Sequence, residues 1–537
     1  MNRLLVGVAI LAATALLVAV GLAGVAGSTR SNTKEAATAG CAASHGTDGG
    51  VPSSAPLGGI AGTDAMPWPA GSRSQKSMEK LKDRLARTPS GGTLTVQPGV
   101  YRGTLVIDHP VTLVGIGHPI LQGDGTGTVL TIRAAGTTVR DLMVEGSGPG
   151  PVGNPAGVSV AADNVVVKDL HIRDTYTGIW VEGVSDARII GNVIEGRKTL
   201  AVREADMAGM RKADMAGMRK GSGHAKAQVG RGDGVSLFNA TRPRVAGNTT
   251  ANVRDGVYLS FGSGARIECN SIVGSRYAIH SMYGKSLTLV SNFFANNLSG
   301  AVMMYAGPVT LEGNVIRDHY SASTGFGVLI LEIGAVRFLR NLIVSNRVGL
   351  QIEGPKDDPR PTAVELNTIA LNQVGVALYP TAHAVLSQNS LVENTVQVLG
   401  LGSDGAGGDS RWSRGGVGNY WSDYRGFARS GRGVGEIPHV EGAAASRLLA
   451  RDPTLLALAS SPAFMLLRAV EQRSVGQRPV SVDRFPLVGP KSPSLPSAAV
   501  HATLGTGLVG VTSLVVCSLV LLRYTRRRQL SIERERT

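Results

Sequence analysis

Residues 234–402 are built from a repeated unit whose seven copies begin Gly234-Val-Ser-Leu, Gly256-Val-Tyr-Leu, Ala278-Ile-His-Ser, Gly300-Ala-Val-Met, Gly327-Val-Leu-Ile, Gly349-Leu-Gln-Ile and Gly375-Val-Ala-Leu. An asparagine recurs in step with the copies, at Asn248, Asn270, Asn292, Asn314, Asn341, Asn367 and Asn389. This spacing gives a unit of about 22 residues, with a short insertion in two of the copies. A period in this range indicates a solenoid whose units each bury one face against the next.

The residues after each opening glycine or alanine decide which kind of solenoid this is. Apolar residues occupy the first and third positions in nearly every copy, as in Val235 and Leu237 or Val328 and Ile330. Alternation with period 2 predicts strands whose apolar side chains point inward and whose intervening side chains point outward. The asparagines can stack in register as an internal ladder of amides. We therefore predict an all-β fold, a right-handed single-stranded parallel β-helix with rungs of about 22 residues.

The amino-terminal part of the chain divides by composition. Residues 1–26 hold an apolar run after Arg3 and are predicted to be a signal peptide or signal anchor. Residues 27–72, rich in Gly, Ala, Ser and Thr, are predicted to be a flexible linker. The β-helix is expected over residues 73–425, with a helical cap at 76–87 and a loop insertion at 197–232 that interrupts the repeat.

The carboxy-terminal part points to the membrane. Residues 426–495 are predicted to hold a helical capping segment and a proline-rich tether. Residues 501–523 are apolar and long enough for a transmembrane helix, and the tail at 524–537 is basic. By the positive-inside rule the tail is cytoplasmic and the β-helix extracytoplasmic, so we expect a cell-membrane protein with one carboxy-terminal span.

The charge and the cysteines narrow the function classes. The formal net charge is +15, but much of the excess lies in the terminal tail and in the insertion, and no nucleic-acid module occurs, so we predict no nucleic-acid partner. The three cysteines are Cys41, Cys269 and Cys517, and the last lies in an apolar span. No disulfide framework is therefore expected.

The outward strand positions form an apolar stripe where a solvated face would be polar. Consecutive rungs place Ser236, Tyr258, His280, Val302 and Leu329 at one outward position, and Phe238, Ser260, Met282, Met304 and Leu331 two residues later. Tyr283 and Tyr305 follow the two methionines. Exposed apolar patches mark partner or ligand surfaces. The predicted partner-binding residues are Phe238, Tyr258, Tyr283, Val302, Tyr305, Leu329 and Leu331.

The stripe also holds candidate metal ligands. Met282 and Met304 occupy equivalent positions on consecutive rungs, about 4.8 Å apart along the stack, with His280 beside them. Two thioethers and an imidazole suit Cu(I) better than Mg, Ca or Mn. The alternative is that the terminal helices or a loop bury the stripe as a satellite core, since methionines in apolar rows are ordinary packing residues.

The insertion contains a perfect direct repeat, Ala-Asp-Met-Ala-Gly-Met-Arg-Lys at residues 205–212 and again at 213–220. Each Met-x-x-Met places two sulfurs on one helix face, as a mobile copper-collecting arm requires. The weaker candidate ligands are Met207, Met210, Met215, Met218 and His224. The alternative is a tandem duplication in a tolerant loop whose methionines bind nothing.

An enzymatic function has little support in the sequence. Many parallel β-helices act on acidic polysaccharides, which requires clustered carboxylates and a basic residue near the sugar. Asp233, Arg254, Asp255 and Glu332 are scattered through the rungs instead. We predict no catalytic residues, and a carbohydrate-active or carbohydrate-binding cell-surface protein is the alternative function.

Three motifs of the chain are distinctive, Tyr277-Ala-Ile-His-Ser-Met-Tyr283, Gly300-Ala-Val-Met-Met-Tyr305 and Gly418-Asn-Tyr-Trp-Ser-Asp-Tyr424. Together they resemble the NosD family, the β-helical maturation proteins of nitrous oxide reductase. Leu466-Leu-Arg-Ala-Val470 and Val482-Asp-Arg-Phe-Pro-Leu487 are similar to that family's closing segment. The resemblance extends over roughly residues 81–487.

The resemblance implies a non-enzymatic, extracytoplasmic protein that transiently binds copper and delivers it for the reductase's copper–sulfur centre. Its implied partners are nitrous oxide reductase, the permease and ATPase subunits of an ABC transporter, and a copper chaperone as donor. The stripe becomes a surface for the reductase or the copper donor. His280, Met282, Met303 and Met304 become the candidate Cu(I) ligands.

This sequence departs from the family pattern at three places, one of which is the duplicated methionine loop, for which the resemblance offers no counterpart. Related sequences follow the Trp-Ser-Asp-Tyr element with an aspartate-rich loop that looks calcium-binding. Here Ala428, Ser430 and Arg432 occupy those places, so we predict no calcium there. The carboxy-terminal span and basic tail go beyond the soluble periplasmic form.

Overall fold

The protein winds into the parallel β-helix that its repeat predicts. The computed structural model describes residues 72–197, 230–321, 324–355, 360–402, 407–429, 431, 433–459, 461–471 and 479–491. Three long sheets run through these residues, and every strand in them pairs in parallel with the equivalent strand of the next rung.

Sheet 1 carries the openings of the repeated units. Its 12 strands are Leu105–Ile107, Leu130–Ile132, Ala156–Val160, Thr177–Glu182, Val235–Phe238, Asp255–Ser260, Tyr277–Met282, Ser299–Met304, Phe326–Leu331, Val348–Glu353, Val374–Leu378 and Val396–Gly400.

Sheets 2 and 3 complete each rung. The 12 strands of sheet 2 are Thr93–Val96, Thr112–Gly115, Thr138–Arg140, Val166–Lys168, Arg188–Ile190, Arg244–Ala246, Arg266–Glu268, Leu287–Val290, Val309–Glu312, Val336–Leu339, Thr362–Glu365 and Ala384–Ser387. The 14 strands of sheet 3 are Gln75–Lys76, Val100–Arg102, Ile120–Gln122, Met143–Glu145, His171–Arg173, Val193–Glu195, Thr249–Ala251, Ser271–Val273, Phe293–Ala295, Val315–Arg317, Leu342–Val344, Thr368–Ala370, Ser390–Val392 and Tyr420–Trp421.

The core is the stack of inward side chains, as the alternation predicts. The residues at the first and third positions of the seven repeat copies are all at most 5% exposed. Val257, Ile279 and Ala301 show the pattern, because they are register partners on three successive strands. Each rung therefore buries its apolar face against the rungs on both sides, which is the main stabilising term of a solenoid.

The predicted asparagine ladder is confirmed at the corner between sheets 2 and 3. The backbone N–H and the side-chain amide of Asn270 both donate to Oδ1 of Asn292, each at 3.0 Å. Asn292 donates in the same way to Asn314, and its amide also reaches the carbonyl of Ile267 at 2.9 Å. The ladder extends beyond the predicted asparagines, to Asn192 at one end and Asn419 at the other. These bonds satisfy buried backbone groups where the chain turns.

The ladder ends on a carboxylate. The backbone N–H of Asn419 donates to Oδ2 of Asp483 at 2.7 Å, and the Trp421 indole donates to the same oxygen at 3.0 Å. Burial raises the pKa of Asp483, against the effect of these donors. Asp483 lies in Ser481–Asp483, which forms a two-stranded antiparallel sheet with His439–Glu441.

A second buried ladder runs beside the first and contains a histidine. The side-chain amide of Asn346 donates a hydrogen bond to Oδ1 of Asn372 at 3.0 Å, and that of Asn372 donates to Oδ1 of Asn394 at 2.9 Å. One rung before Asn346, His319 takes the asparagine position: its Nδ1 accepts from the backbone N–H of Asn297 at 3.2 Å. Nε2 of His319 is buried without a hydrogen-bond partner. Burial lowers the pKa of His319 to about 3.

Helices lie at both ends of the described solenoid. Helix α1, Met78–Arg87, begins at Ser77, whose side chain accepts from the Lys80 N–H, and it buries Met78, Leu81 and Leu85. At the other end are α2 (Ala443–Arg451), a 3-10 helix (Pro453–Leu458) and α3 (Pro462–Glu471). These helices share a small core with the last rungs of sheet 1, formed with Val348, Val374, Ala377, Val396 and Leu399.

Several sequence predictions fall on residues 1–71, 198–229 and 492–537, which lie outside the described residues. They are the signal segment, nearly all of the linker, the methionine-rich repeat, the transmembrane helix and the basic tail. No helix in the described part is long and apolar enough to cross a bilayer. The expectation about disulfides needs correction, because Cys269 is disulfide-bonded.

Replacing Asn292 by Ala should destabilise the fold strongly. The change leaves the backbone N–H of Asn270 buried without its acceptor, at about 1–3 kcal/mol, and also removes the bonds that the Asn292 amide donates to Ile267 and Asn314. Equilibrium urea unfolding should show a loss of about 3 kcal/mol or more. Gln351→Ala, on the outward face of sheet 1, is the control and should stay within about 0.5 kcal/mol of wild type. Equal losses for both variants would contradict a structural role for the ladder.

His319→Asn should make the fold less sensitive to acid. The folded-state pKa of His319 is below the usual value of about 6.5, so the unfolded chain binds more protons than the folded one between pH 6.5 and 3. Wild-type stability therefore decreases as the pH is lowered through that window. From pH 7.5 to pH 5 the variant should avoid a loss of about 2 kcal/mol, measured by urea unfolding at both values. His109→Asn is the control, because the hydrogen bond that His109 donates to Asp108 raises the pKa of His109 and reverses the sign of the pH effect. An identical pH dependence of stability in wild type and His319→Asn would refute the lowered pKa of the buried His319.

Candidate functional site

The stripe lies on the outward face of sheet 1, where parallel register sets its residues side by side. Met282 and Met304 are register partners on adjacent strands, and His280 pairs with Tyr258 on one side and Val302 on the other. Met304 pairs in turn with Leu331, and Val302 with Leu329. The two methionines, Phe238, Tyr258, Leu329 and Leu331 are partly buried, whereas His280 and Val302 are buried.

Met303 does not join the other three proposed ligands. It is fully buried in the main core, in register with Ser281 and Ile330. Successive side chains of a strand point to opposite faces, so Met303 and Met304 lie on opposite sides of the sheet. The structure thus brings together His280, Met282 and Met304 and separates Met303 from them.

A buried ion pair fixes the orientation of His280. Oδ2 of Asp255 lies 2.9 Å from Nδ1 of His280, and the Arg276 guanidinium donates to both oxygens of Asp255 at 2.8 and 2.6 Å. The His280 ring also lies between the rings of Tyr258 and Tyr277, with centroids 5.1 and 5.2 Å away. With Nδ1 held by the carboxylate, Nε2 is the nitrogen left for a ligand, the arrangement common in metal-binding histidines.

The electrostatics of this pair follow from burial and charge. Burial would raise the pKa of Asp255, but the Arg276 charge and the hydrogen bonds from His280 and Arg276 outweigh it and hold that pKa well below its usual range. Burial would lower the pKa of Arg276, and the charge of Asp255 raises it instead. An equivalent pair occurs one rung earlier, where Arg254 donates to Asp233 with two bonds of 2.8 Å.

An aromatic row runs along the edge of the stripe. It consists of Trp180, Phe238, Phe261, Tyr283 and Tyr305, with successive ring centroids 6.3, 5.9, 5.2 and 5.3 Å apart. Phe261, Tyr283 and Tyr305 adopt positive φ at the corner after the strand and are 56%, 38% and 37% exposed. A row of exposed rings on a rigid edge is well suited to contact a protein partner.

The terminal helices cover the continuation of the stripe rather than the stripe itself. Their shared core includes Val374, Ala377 and Leu399 on later strands of sheet 1, and Phe326 packs against it. No stripe residue belongs to that core. The alternative in which these helices bury the stripe is therefore not what the described residues show.

A second group of metal-ligating side chains lies near the carboxy-terminal end. Nε2 of His439 is 3.2 Å from Asp423 and 4.0 Å from Glu441, and the ring stacks on Trp421 at 4.2 Å. Nδ1 of His439 is buried and makes no hydrogen bond. The group borders the stretch that includes Ala428, for which no calcium is expected.

Sequence reasoning missed three elements of the site, although the period of the repeat signals each. Asp233 and Asp255 are one repeat period apart, as are Arg254 and Arg276, which marks a repeated ion pair. Phe261 precedes Tyr283 by the same period and belongs to the aromatic row. Only a comparison across rungs distinguishes these residues from scattered ones.

The sheets and the repeat define the class of the protein. Residues 133–294 match the family model described as right-handed β-helix region, which agrees with the predicted handedness. Solved structures to which the chain is similar include the A-module of the mannuronan C-5 epimerase AlgE6 from Azotobacter vinelandii, at 16% identity and a TM-score of 0.47 over 65% of this chain and 95% of that one. The catalytic domain of a GH87 α-1,3-glucanase matches at 14% identity and a TM-score of 0.41, over 67% of this chain and 71% of that one.

Within that class, the chain belongs to the NosD family. Residues 216–426 match the family model described as periplasmic copper-binding protein (NosD). A probable ABC transporter binding protein NosD from Pseudomonas aeruginosa is 34% identical over 75% of this chain and 89% of its own length. A protein of the same name from Stutzerimonas stutzeri is 33% identical over 73% of this chain and 85% of its own length.

Replacing Asp255 by Asn should destabilise the protein by about 3 kcal/mol or more, because the buried Arg276 guanidinium would lose its carboxylate. Urea unfolding at neutral pH measures the change. Asp108→Asn is the matched control, since Asp108 also contacts a histidine at 2.9 Å but is largely exposed. The control variant should lose about 0–1 kcal/mol of stability. Comparable losses for the two variants would contradict the stabilising role of the buried Asp255–Arg276 ion pair.

Proposed function

We propose that this protein is a membrane-anchored, extracytoplasmic accessory factor for nitrous oxide reductase maturation. It accepts copper and delivers it for assembly of the copper–sulfur centre, in association with the permease and ATPase subunits of an ABC transporter. The observation that carries the proposal is the 34% identity, over 75% of the chain, to a probable ABC transporter binding protein NosD. The family description as periplasmic and copper-binding supports the same role.

The chemistry of the stripe supports copper as the cargo. His280, Met282 and Met304 offer one imidazole and two thioethers on adjacent strands, a soft ligand set suited to Cu(I). The methionines are only partly buried, so a partner can reach an ion held there. Such an open site favours transfer, whereas a closed four-ligand cage favours retention.

The buried ion pairs argue against carbohydrate chemistry as the function. Asp233 and Asp255 are each bonded to an arginine, so these carboxylates are committed to structure. The low-similarity β-helical enzymes share only the architecture with this chain, and architecture alone does not carry function.

Two further observations support the location and the partners. Cys269 is disulfide-bonded, as is usual in oxidising extracytoplasmic compartments and rare in the cytoplasm. The apolar segment 501–523 supplies the proposed anchor. The aromatic row and the neighbouring Leu329 and Leu331 supply an apolar surface for the reductase or a copper chaperone.

Cu(I) titration of the full-length chain against a competing chelator tests the cargo site. The double variant Met282→Leu with Met304→Leu should bind Cu(I) at this site at least about tenfold more weakly, because it keeps the packing and removes both sulfurs. Deleting residues 205–220 should leave this binding intact. Met78→Leu, in the cap helix, is the matched control. Unchanged Cu(I) binding in the double variant would refute the stripe as the cargo site.

Docking can be tested separately from copper. Co-purification of the full-length chain with the reductase and with the transporter should weaken when Tyr283 and Tyr305 are both changed to Ala, while Cu(I) binding to the stripe stays measurable. Loss of neither partner in that variant would place docking on another surface.

A further inference from the structure

A small outward-facing cluster lies on the first rungs of sheet 3, away from the stripe. Val100, Ile120 and Met143 form a separate buried apolar group there. They lie on three successive strands, with Val100 in register with Ile120 and Ile120 in register with Met143. The neighbouring inward residue, Val144, belongs to the main core, so Met143 is on the outer face of the sheet.

Two histidines flank this methionine. His171 is the register partner of Met143 on the next strand. His118 directly precedes Pro119, whose carbonyl accepts the Met143 N–H at 2.9 Å. The His118 and His171 rings are 5.7 Å apart and nearly perpendicular, at 81°. The winding of the chain thus gathers two imidazoles and a thioether from three separate segments of the sequence.

The burial of the two imidazoles bears on whether they bind a metal. Nδ1 of His118 is buried without a hydrogen-bond partner. A buried polar atom of this kind costs free energy and requires an explanation. Burial, with a smaller effect from His118, lowers the pKa of His171.

The surrounding charges favour a soft ion over a hard one. The carboxylates of Asp141 and Asp169, which precede two of these strands, pair with Arg140 at 2.6 Å and Lys168 at 3.5 Å. Two imidazoles and a thioether include no anionic ligand, which suits monovalent copper and not calcium or magnesium. Edge-to-face packing of two histidines is the alternative, but packing alone leaves the buried Nδ1 of His118 unsatisfied.

We infer that His118, Met143 and His171 form a second Cu(I)-binding site on the outer face of sheet 3. The inference rests on the proposed role in copper handling. The site lies on a different sheet from the stripe. The sheet 1 strand that follows His171, Thr177–Glu182, is three rungs away from the strand that holds His280, which is about 14 Å along the axis of the solenoid. One ion cannot be shared across that distance, so the protein holds two separate copper sites.

The experiment is an anaerobic Cu(I) titration of the full-length chain with bathocuproine disulfonate as competitor. Wild type should bind two equivalents. The double variant His118→Gln with His171→Gln should bind one fewer, and Met143→Leu should weaken that equivalent at least about tenfold. His109→Gln is the matched control, because His109 is a nearby histidine that pairs with Asp108 and lies outside the cluster.

Two readouts independent of stoichiometry make the test sharper. X-ray absorption of the Met282→Leu and Met304→Leu variant, with one equivalent of Cu(I), should show two nitrogens and one sulfur around copper. Cu(I) should also raise the unfolding temperature of wild type and of His109→Gln more than that of the histidine double variant. Circular dichroism of the metal-free variants checks that they fold.

The outcomes separate this inference from the proposed function. If the histidine variant and the methionine variant of the stripe each lose one equivalent, both sites stand. If only the histidine variant loses copper, this site stands and the stripe assignment fails. If the histidine variant retains the stoichiometry and affinity of His109→Gln, this inference is overturned. A wild-type chain that binds no Cu(I) overturns both.

Discussion

The hydrogen bond from one rung's asparagine to the next is the interaction on which the rest of the structure depends. At each corner between sheets 2 and 3 the chain must turn while buried, which would leave backbone groups without partners. Asn270, Asn292 and Asn314 each supply an acceptor to the rung before and donors to the rung after. The same bond therefore satisfies the turn and fixes the register of all three sheets.

That register is what creates the candidate site. Met282 and Met304 come from different rungs and meet only because the strands are aligned residue for residue. His280 is held by Asp255, which belongs to the preceding rung, so the histidine's orientation depends on the same alignment. A ligand set built on stacked strands is positioned before any ion arrives, which lowers the ordering cost of binding.

Periodicity predicted most of the fold because inward positions and the asparagine corner repeat in the sequence itself. It could not predict the hydrogen bonding of His319 in the second ladder, since a histidine there takes the position that asparagine occupies in the neighbouring rungs. Periodicity did place Met303 inward with Ser281 and Met304 outward, and Met303 became a candidate ligand only through the family resemblance. Burial of outward residues such as His280 depends on neighbouring rungs, which the pattern of a single strand does not reveal.

Asp483 determines where the asparagine ladder ends, and this affects how rungs can be added to the solenoid. A carboxylate accepts the last donors of the ladder but has no amide to pass the pattern on, so it terminates a directional series of bonds. New rungs can enter by duplication anywhere between Asn192 and Asn419 without altering this terminator. The number of rungs can therefore change while Asp483 remains the last acceptor of the ladder.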